Sequence, residues 1–317
     1  MVVVAVAGGT GGLGRMMVDA LVATGKHDVK ILARKPNPSI EKELGVSVLA
    51  VNYDDVPGLT KTLEDNNVHT VISTITMMPI DGSTPKEVEL IQAADASKTT
   101  KRLISSDWGI PYDERKLAIW PSAVHNFNAR DALNKTTNLE HTVIQVGFLV
   151  DYWTNPKIKS YVAPITAVVD IPANAAAIPG SGNTPVTFIH SADLAKMTAA
   201  LLDLDKWDPI STAVGDSVTW NEFVRLVEEV RAGTKITVSY DSVDKMSKGE
   251  VTELPSHPQS YEHFPKEALQ SILAAFGLWF EDGSIHMTAE KTLNQQLPEE
   301  VQPRKVKELL QEAWGSN

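Results

Sequence analysis

The sequence predicts an α/β protein built on a doubly wound parallel sheet, with a smaller mixed α/β carboxyl-terminal part. Short apolar runs alternate with amphipathic stretches over the first half of the 317 residues. A glycine cluster directly follows the first apolar run, and five prolines between residues 156 and 185 divide a later segment into short pieces. The alternation is typical of βαβ units, which produce a parallel sheet.

The first half of the chain is predicted to form six strands, with helices between them. Each apolar run has the length of a strand, and most intervening stretches have helical periodicity. Strands are expected at Val2–Ala7, Val29–Ala33, Val46–Val51, Val68–Ile75, Arg102–Ser106 and Thr142–Phe148. Helices are expected at Leu13–Thr24, Leu59–Asn66, Thr84–Ser97 and around Ser122–Thr136.

The second half carries signals for both strands and helices. Strands are expected near Val186 and Ile210, both returning to the first sheet, and at Lys235–Tyr240. Helices are expected after a cap at Ser191 or Asp193, after the capping box Thr219–Glu222, and at Phe264–Phe276 and Lys305–Trp314.

Composition excludes several classes of function. The formal net charge is −11, which makes nucleic acid an unlikely partner. Cysteine is absent, so disulfides, thiolate metal sites and cysteine nucleophiles are excluded, and the eight histidines show no spacing typical of a metal site. The longest apolar runs have the length of strands, so no membrane span is expected. We expect a cytoplasmic protein, monomeric or homodimeric, without a metal.

The glycine cluster indicates a site for a dinucleotide pyrophosphate. Gly8, Gly11 and Gly14 are spaced so that the backbone turns tightly, approaches a phosphate and packs a helix on the strand. The pattern also fits G-x-G-x-x-G if the motif starts at Gly9, so the sequence leaves open which glycines form the motif. With Thr10, Gly12 and Leu13, these glycines are the predicted pyrophosphate contacts. The alternative is a turn that only joins a strand to a helix.

The second strand ends in basic residues, which favours NADP(H) over NAD(H). Arg34 and Lys35 stand where a carboxylate would bind the ribose of NAD, and a guanidinium pairs well with a phosphate. A solvated basic pair is the alternative. Asn52, Thr74 and Ile75 end the third and fourth strands and are expected beside the nucleotide. Residues 1–150 are therefore the predicted NADP(H)-binding Rossmann domain and 151–317 the substrate-binding part, with about 184–215 returning to the first sheet.

Several motifs together resemble a known family. They are Gly-Gly-Thr-Gly-Gly-Leu-Gly at 8–14, Ile-Leu-Ala-Arg-Lys at 31–35, Asn-Tyr-Asp-Asp at 52–55, Arg-Leu-Ile-Ser-Ser-Asp-Trp-Gly at 102–109, Gln-Val-Gly-Phe at 145–148, Ala-Ile-Pro-Gly-Ser-Gly at 177–182 and Ser-Ala-Asp-Leu-Ala at 191–195. They look like the NmrA-like and isoflavone-reductase-like branch of the atypical short-chain dehydrogenases, in its fungal form. The likeness spans nearly the whole chain.

The resemblance implies an NADPH-binding fold whose catalytic members reduce small aromatic or conjugated molecules, and whose other members act as regulators. In the reductases a lysine supports proton transfer, and this chain lacks it. The matching position falls near Phe127 or Asn128, and Lys116 and Lys135 are out of register.

The group that handles the proton is left open among several residues. Asn128 can orient a water or a carbonyl, His125 can titrate near neutral pH, and Tyr152 can donate a phenolic proton. Each has an alternative as an ordinary surface or packing residue. Asp107 is either a proton-transfer carboxylate or a turn cap. His190 and Asp193 form either a dyad or, as we favour, a strand end and a helix cap.

Large apolar side chains follow three of the predicted strands and indicate a pocket for a hydrophobic molecule. The predicted substrate contacts are Met77, Met78, Trp108, Phe148, Tyr152 and Trp153. The alternative is that they pack loops onto the core. The favoured function is an NADPH-dependent reductase of an aromatic or polyketide-like metabolite. The alternatives are a non-catalytic NADP(H)-sensing regulator and a non-redox isomerase or dehydratase.

Overall fold

A computed structural model describes residues 1–79, 82–261 and 265–315. Its strands are β1 (Val3–Ala7), β2 (Asp28–Ala33), β3 (Ser47–Ala50), β4 (Val68–Ser73), β5 (Arg102–Ile104), β6 (Glu140–Gln145), β7 (Phe148–Leu149), β8 (Val169–Asp170), β9 (Ala175–Pro179), β10 (Pro185–Ile189), β11 (Ile210–Thr212), β12 (Asp216–Thr219) and β13 (Thr237–Asp241).

The helices connect these strands. They are α1 (Gly12–Thr24), α2 (Pro38–Leu44), α3 (Val56–Asp65), α4 (Glu87–Ala96), α5 (Glu114–Ile119), α6 (Val124–Leu133), α7 (Asp151–Thr154), α8 (Ser191–Leu201), α9 (Trp220–Val230), α10 (Val243–Ser247), α11 (Lys266–Glu281), α12 (Leu293–Gln296) and α13 (Val306–Trp314). In the described ranges no helix has both the length and the apolar character needed to cross a bilayer.

The chain divides into two compact units. Unit 1 comprises Met1–Gln145, Leu194–Ala213 and Gln295–Val301, and unit 2 comprises Val146–Asp193, Val214–Asn294 and Gln302–Asn317. Unit 1 contains a seven-stranded sheet in the order β11-β6-β5-β4-β1-β2-β3. Every neighbouring pair in this sheet is parallel. The predicted Rossmann-type, doubly wound fold is therefore confirmed.

The core of unit 1 forms where apolar helix faces cover the sheet. Leu59 and Leu63 of α3 and Leu90 of α4 are almost completely buried, in one cluster with Val71 of β4 and Leu103 of β5. Burial of these side chains on both helices stabilises the sheet by the hydrophobic effect.

Unit 2 contains two three-stranded sheets, in the orders β12-β10-β7 and β13-β9-β8. The predicted strand near Val186 is β10, but its expected return to the first sheet is wrong, because it pairs with β7 and β12. The strand at Ile210 does return, beside β6. An apolar run predicts a strand, whereas its partner depends on contacts distant in sequence.

The helix predictions of the second half are mostly confirmed. Thr219 and Glu222 form the predicted capping box of α9. The predicted helix at Phe264–Phe276 corresponds to α11, which runs from Lys266, and Phe264 itself lies outside the described residues.

Shortening a core side chain of unit 1 tests how much this packing stabilises the fold. We expect Leu63→Ala to lower the free energy of unfolding by about 2–5 kcal/mol, because the removed atoms leave a cavity in a fully buried site. Val22→Ala is the matched control on the exposed side of α1, since Val22 is 36% exposed. Urea denaturation measures both. Equal losses for the two variants would contradict this account of the core.

Candidate functional site

The turn between β1 and α1 brings the start of the helix close to the sheet. A Cβ on Gly14 would fall inside van der Waals contact with the carbonyl oxygen of Gly8 and with Thr74 Oγ1. Gly8 adopts a φ of +78°, which favours glycine. Thr74, just after β4, donates its hydroxyl hydrogen to the Ala7 carbonyl at 2.7 Å. The predicted glycines therefore fix a close approach between helix and strand.

The other side of the turn is open. Nothing lies within 4 Å of a Cβ placed on Gly11 or Gly12. Gly11 is the N-cap of α1 and provides no side-chain cap, and the first turn of the helix carries no acidic residue. The first N–H groups of this 13-residue helix, including that of the half-buried Leu13, therefore form a donor set suited to an anion.

A cleft of about 430 Å³ lies at the end of β2, lined by Thr10, Arg34, Lys35 and Asn37. Asn37 is occupied as the cap of α2, where its side chain accepts a hydrogen bond from Ile40 N. Arg34 and Lys35 are exposed, and neither forms an ion pair or hydrogen bond with any residue of the described ranges. Two cations without a carboxylate partner, beside a threonine hydroxyl, suit a phosphate dianion.

The remaining predicted nucleotide contacts follow β3 and β4. Asn52 is exposed, and its side-chain oxygen accepts a hydrogen bond from Asp54 N at 3.1 Å, which leaves its amide hydrogens available. Ile75 is half-buried against the core of unit 1. Its carbonyl accepts a hydrogen bond from Ser106 Oγ at 2.7 Å.

A buried carboxylate joins the ends of β4 and β5. Glu87 of α4 accepts hydrogen bonds from Ser73 Oγ at 2.5 Å, Ser105 Oγ at 2.7 Å and Ser106 N at 2.9 Å. Burial raises the pKa of Glu87, and these three hydrogen bonds oppose the rise. The sequence analysis missed this residue, because an acidic residue in the first turn of a helix is ordinary there.

Asp107, which follows β5, is buried in an ion pair. Arg130 of α6 binds its Oδ2 through Nε at 2.8 Å and Nη2 at 2.5 Å. Asn126, one helical turn earlier, donates to its Oδ1 at 3.3 Å. Burial raises the pKa of Asp107, and the Arg130 guanidinium opposes only part of that rise. Asp107 thus binds α6, and the expectation that it caps a turn is wrong.

Asn126, Ala129 and Leu133 are the buried residues of α6. The sequence analysis placed the position that matches the reductases' lysine near Phe127 or Asn128, one to two residues after Asn126. The side-chain oxygen of Asn126 is buried and accepts no hydrogen bond from any residue that the structure describes. The predicted candidates on the same helix differ: His125 is half-buried and Asn128 is exposed, and the side chain of neither forms a hydrogen bond within the described ranges. Lys116 of α5 is buried, with Nζ 3.6 Å from Asp113 Oδ2.

The predicted substrate contacts of unit 1 differ in exposure. Trp108 is half-buried, and its indole N–H donates to the Ser73 carbonyl at 2.8 Å. Met77 belongs to the buried core cluster, as the packing alternative proposed. Met78 is half-buried and retains surface for a ligand.

The predicted contacts of unit 2 form one aromatic group. The Phe148 ring lies 5.3 Å from Tyr152 and 6.0 Å from Trp153, measured between centroids. Phe148 and Trp153 are buried, whereas Tyr152 is half-buried. Burial and the neighbouring Asp151 carboxylate raise the pKa of Tyr152 to about 12, so its hydroxyl stays protonated at neutral pH.

The proposed dyad of His190 and Asp193 is not formed, because each has another partner. His190 Nδ1 accepts a hydrogen bond from Ala192 N at 3.1 Å, and its Nε2 lies 3.7 Å from Asp151 Oδ1. Asp193 lies in the first turn of α8 and forms an ion pair with Arg304 at 3.0 Å. Within the described ranges, no cluster of three or more metal-binding side chains is present.

Comparisons with known proteins identify relatives of this chain. The model of the NmrA-like family matches residues 2–305. The chain is 33% identical over 302 residues to "Oxidoreductase BOA1" of Botryotinia fuckeliana, covering 94% of this chain and 95% of that protein. It is 32% identical over 287 residues to "Oxidoreductase swnN" of Metarhizium robertsii, covering 83% of each chain.

Solved structures share the fold at low sequence identity. The binary complex of leucoanthocyanidin reductase and NADPH from Vitis vinifera superposes with a TM-score of 0.73 at 20% identity, covering 98% of this chain and 99% of that one. The structure "AtPrR2 with NADP+ and (+)pinoresinol" superposes with a TM-score of 0.72 at 20% identity, covering 98% of both chains. Since the family model spans nearly the whole sequence, the chain belongs to the NmrA-like family.

Proposed function

We propose that the protein is an NADPH-dependent reductase of a small hydrophobic molecule. The observation that carries the proposal is the cleft of Thr10, Arg34 and Lys35, because both cations lack a carboxylate partner in the described ranges. The names of the relatives from Botryotinia fuckeliana and Metarhizium robertsii, and the nucleotides in the two solved structures, support it.

Different residues of unit 1 bind different parts of the nucleotide. The open N-terminus of α1 binds the pyrophosphate, Arg34 and Lys35 bind the 2′-phosphate, and Asn52 is available to the adenine. Thr74 and Ile75 provide the surface at the end of β4. When bound, NADPH supplies a hydride, and the protein must position the acceptor and deliver a proton to it.

Among the three candidates, His125 is the best proton donor. An amide such as Asn128 has no acidic proton to give. The raised pKa of Tyr152, about 12, makes its phenol a weaker acid than usual. His125 is half-buried and makes no hydrogen bond in the described ranges, so its ring is available to a bound molecule. Asn128, on the same helix, then orients the acceptor.

The substrate class follows from the side chains that keep exposed apolar surface. In unit 1, Met78 and Trp108 are half-buried, whereas Met77 is buried. In unit 2, Tyr152 is half-buried, whereas Phe148 and Trp153, whose rings lie beside it, are buried. Large apolar surfaces with few polar groups favour an aromatic or polyketide-like acceptor with a conjugated carbonyl or alkene.

Removing the two cations of the cleft tests the choice of nucleotide. We expect Arg34→Gln/Lys35→Gln to weaken NADPH binding by about 10- to 100-fold, because charge-assisted contacts to the 2′-phosphate are lost. NADH binding should change by less than about threefold, since NADH has no such phosphate. Lys42→Gln on α2 is the control for charge. Titration calorimetry measures all affinities, and equal weakening of both nucleotides would contradict the assignment.

Turnover tests the reaction itself. We expect NADPH oxidation with some members of a panel of hydrophobic conjugated carbonyls, and His125→Gln should lower kcat at least about 100-fold with NADPH affinity unchanged. Asp131→Asn, exposed on the same helix, is the control. An unchanged kcat in His125→Gln would exclude this donor. No oxidation with any acceptor, despite tight NADPH binding, would favour the regulatory or non-redox alternatives.

Breaking the ion pair between Asp107 and Arg130 tests how much this pair stabilises the fold. We expect Arg130→Gln to lower the free energy of unfolding by roughly 2–4 kcal/mol, because a buried carboxylate loses its cation. When the pKa of a carboxyl is higher in the folded than in the unfolded protein, its contribution to stability is fully present below the unfolded pKa. That contribution is lost as the pH rises through the folded pKa. Asp107 is such a group, and Arg130 opposes the rise of its pKa. Removing Arg130 therefore raises that pKa further, so the loss in this variant should be larger at about pH 8 than at about pH 5.

Urea denaturation at both pH values measures this effect. Arg115→Gln is the control, since its pair with Asp113 is exposed and contributes little. A loss that is independent of pH, or that is larger at pH 5, would contradict the assignment to Asp107.

A further inference from the structure

Unit 2 contains a cavity of about 430 Å³ with a mostly apolar wall. Tyr152 and Trp153 of α7 and Trp314 of α13 contribute rings, and Ile165 and Ile171 contribute aliphatic surface. Its volume lies within the range of sites for small organic molecules.

Hydrogen bonds to the backbone hold two of these rings in place. The indole N–H of Trp314 donates to the Trp153 carbonyl at 2.7 Å. The indole N–H of Trp153 donates to the carbonyls of Ala167 at 3.2 Å and Val169 at 3.0 Å. The aromatic wall is therefore formed before any ligand arrives, which lowers the entropy lost on binding.

The hydroxyl of Tyr152 is a polar group in the wall that a ligand can contact. The Tyr152 hydroxyl makes no hydrogen bond with any residue of the described ranges, and the side chain is only half-buried. Tyrosine combines an apolar ring with a hydrogen-bonding tip, so it suits a ligand that has both kinds of surface.

Two basic side chains lie beside Trp314. Lys157, which lines the cavity, places Nζ 3.7 Å from the centroid of the Trp314 ring. The Arg231 guanidinium lies 5.8 Å from the same centroid and donates to the Ile171 carbonyl at 2.9 Å. Neither cation pairs with a carboxylate of the described ranges. An anionic group of a ligand can therefore pair with Lys157, whose ammonium has no carboxylate partner in the described ranges.

The wall also contains a carboxylate, that of Asp170, which keeps its negative charge but whose oxygens accept hydrogen bonds from the protein. Asp170 is buried and accepts hydrogen bonds from Ser256 N at 2.8 Å, Ser256 Oγ at 3.0 Å and Ala173 N at 3.3 Å. It serves to join the loops that form the cavity.

We propose that this cavity binds a planar aromatic molecule carrying one acidic group. The rings of the ligand pack on Tyr152, Trp153 and the two isoleucines, and its anionic group pairs with Lys157. The proposal rests in part on the proposed function, because Tyr152 and Trp153 are also proposed substrate contacts, and the test below measures binding without nucleotide or turnover.

Two fluorescent probes with the same rings test the proposal on the full chain, without nucleotide. Anilinonaphthalene sulfonate is an aromatic anion, and N-phenylnaphthylamine is its neutral counterpart. We expect each to bind at one saturable site. Lys157→Gln should weaken the anion about three- to tenfold and change the neutral probe by less than about twofold, because only the anion pairs with the ammonium.

Two further variants make the test decisive. Lys235→Gln removes an exposed lysine of unit 2 that does not line the cavity and should leave both affinities unchanged. Ile165→Trp places a larger side chain in the half-buried wall and should weaken both probes at least about tenfold, with circular dichroism confirming the fold. Absent saturable binding, equal effects of the two lysine variants, or full binding by Ile165→Trp would each overturn the proposal.

Discussion

The close approach of α1 to the end of β1 is the constraint on which the nucleotide site depends. A side chain at Gly14 would collide with the Gly8 carbonyl and with Thr74, which is itself hydrogen-bonded to Ala7. Only glycine lets the helix start this close to the sheet, and this position directs its uncapped N–H groups into the open space around Gly11. The same turn brings Thr10 to the cleft that Arg34 lines.

Two buried carboxylates then fix the neighbouring strand ends in unit 1. Glu87 accepts hydrogen bonds from Ser73 at the end of β4 and from the two serines after β5, and Asp107 joins the end of β5 to Arg130 of α6. Both carboxyls are buried, and burial raises the pKa of each. Each is retained because hydrogen bonds or a cation compensate for the lost water. Polar interactions, as well as the hydrophobic core, therefore hold in place the strand ends that would contact a nucleotide and its acceptor.

The features that the sequence predicted are those with local causes. The strand, glycine turn and helix at the N-terminus, and the capping box at Thr219, each depend on a few adjacent residues. The partners of β10 and the group formed by Asp107 and Arg130 depend on residues far apart in sequence, and their patterns carry no local signal. The helix α2 was missed although Asn37, with Pro38 after it, is an ordinary start signal.

The central claim is that the N-terminal turn and the end of β2 together select a phosphorylated dinucleotide. Titration calorimetry of the purified full chain with NADPH and with NADH tests it most directly. The account predicts one saturable NADPH site per chain, with an affinity at least about tenfold higher than for NADH, since one charge-assisted phosphate contact of about 1.4 kcal/mol corresponds to tenfold. Equal affinities, or no saturable binding of NADPH, would contradict it.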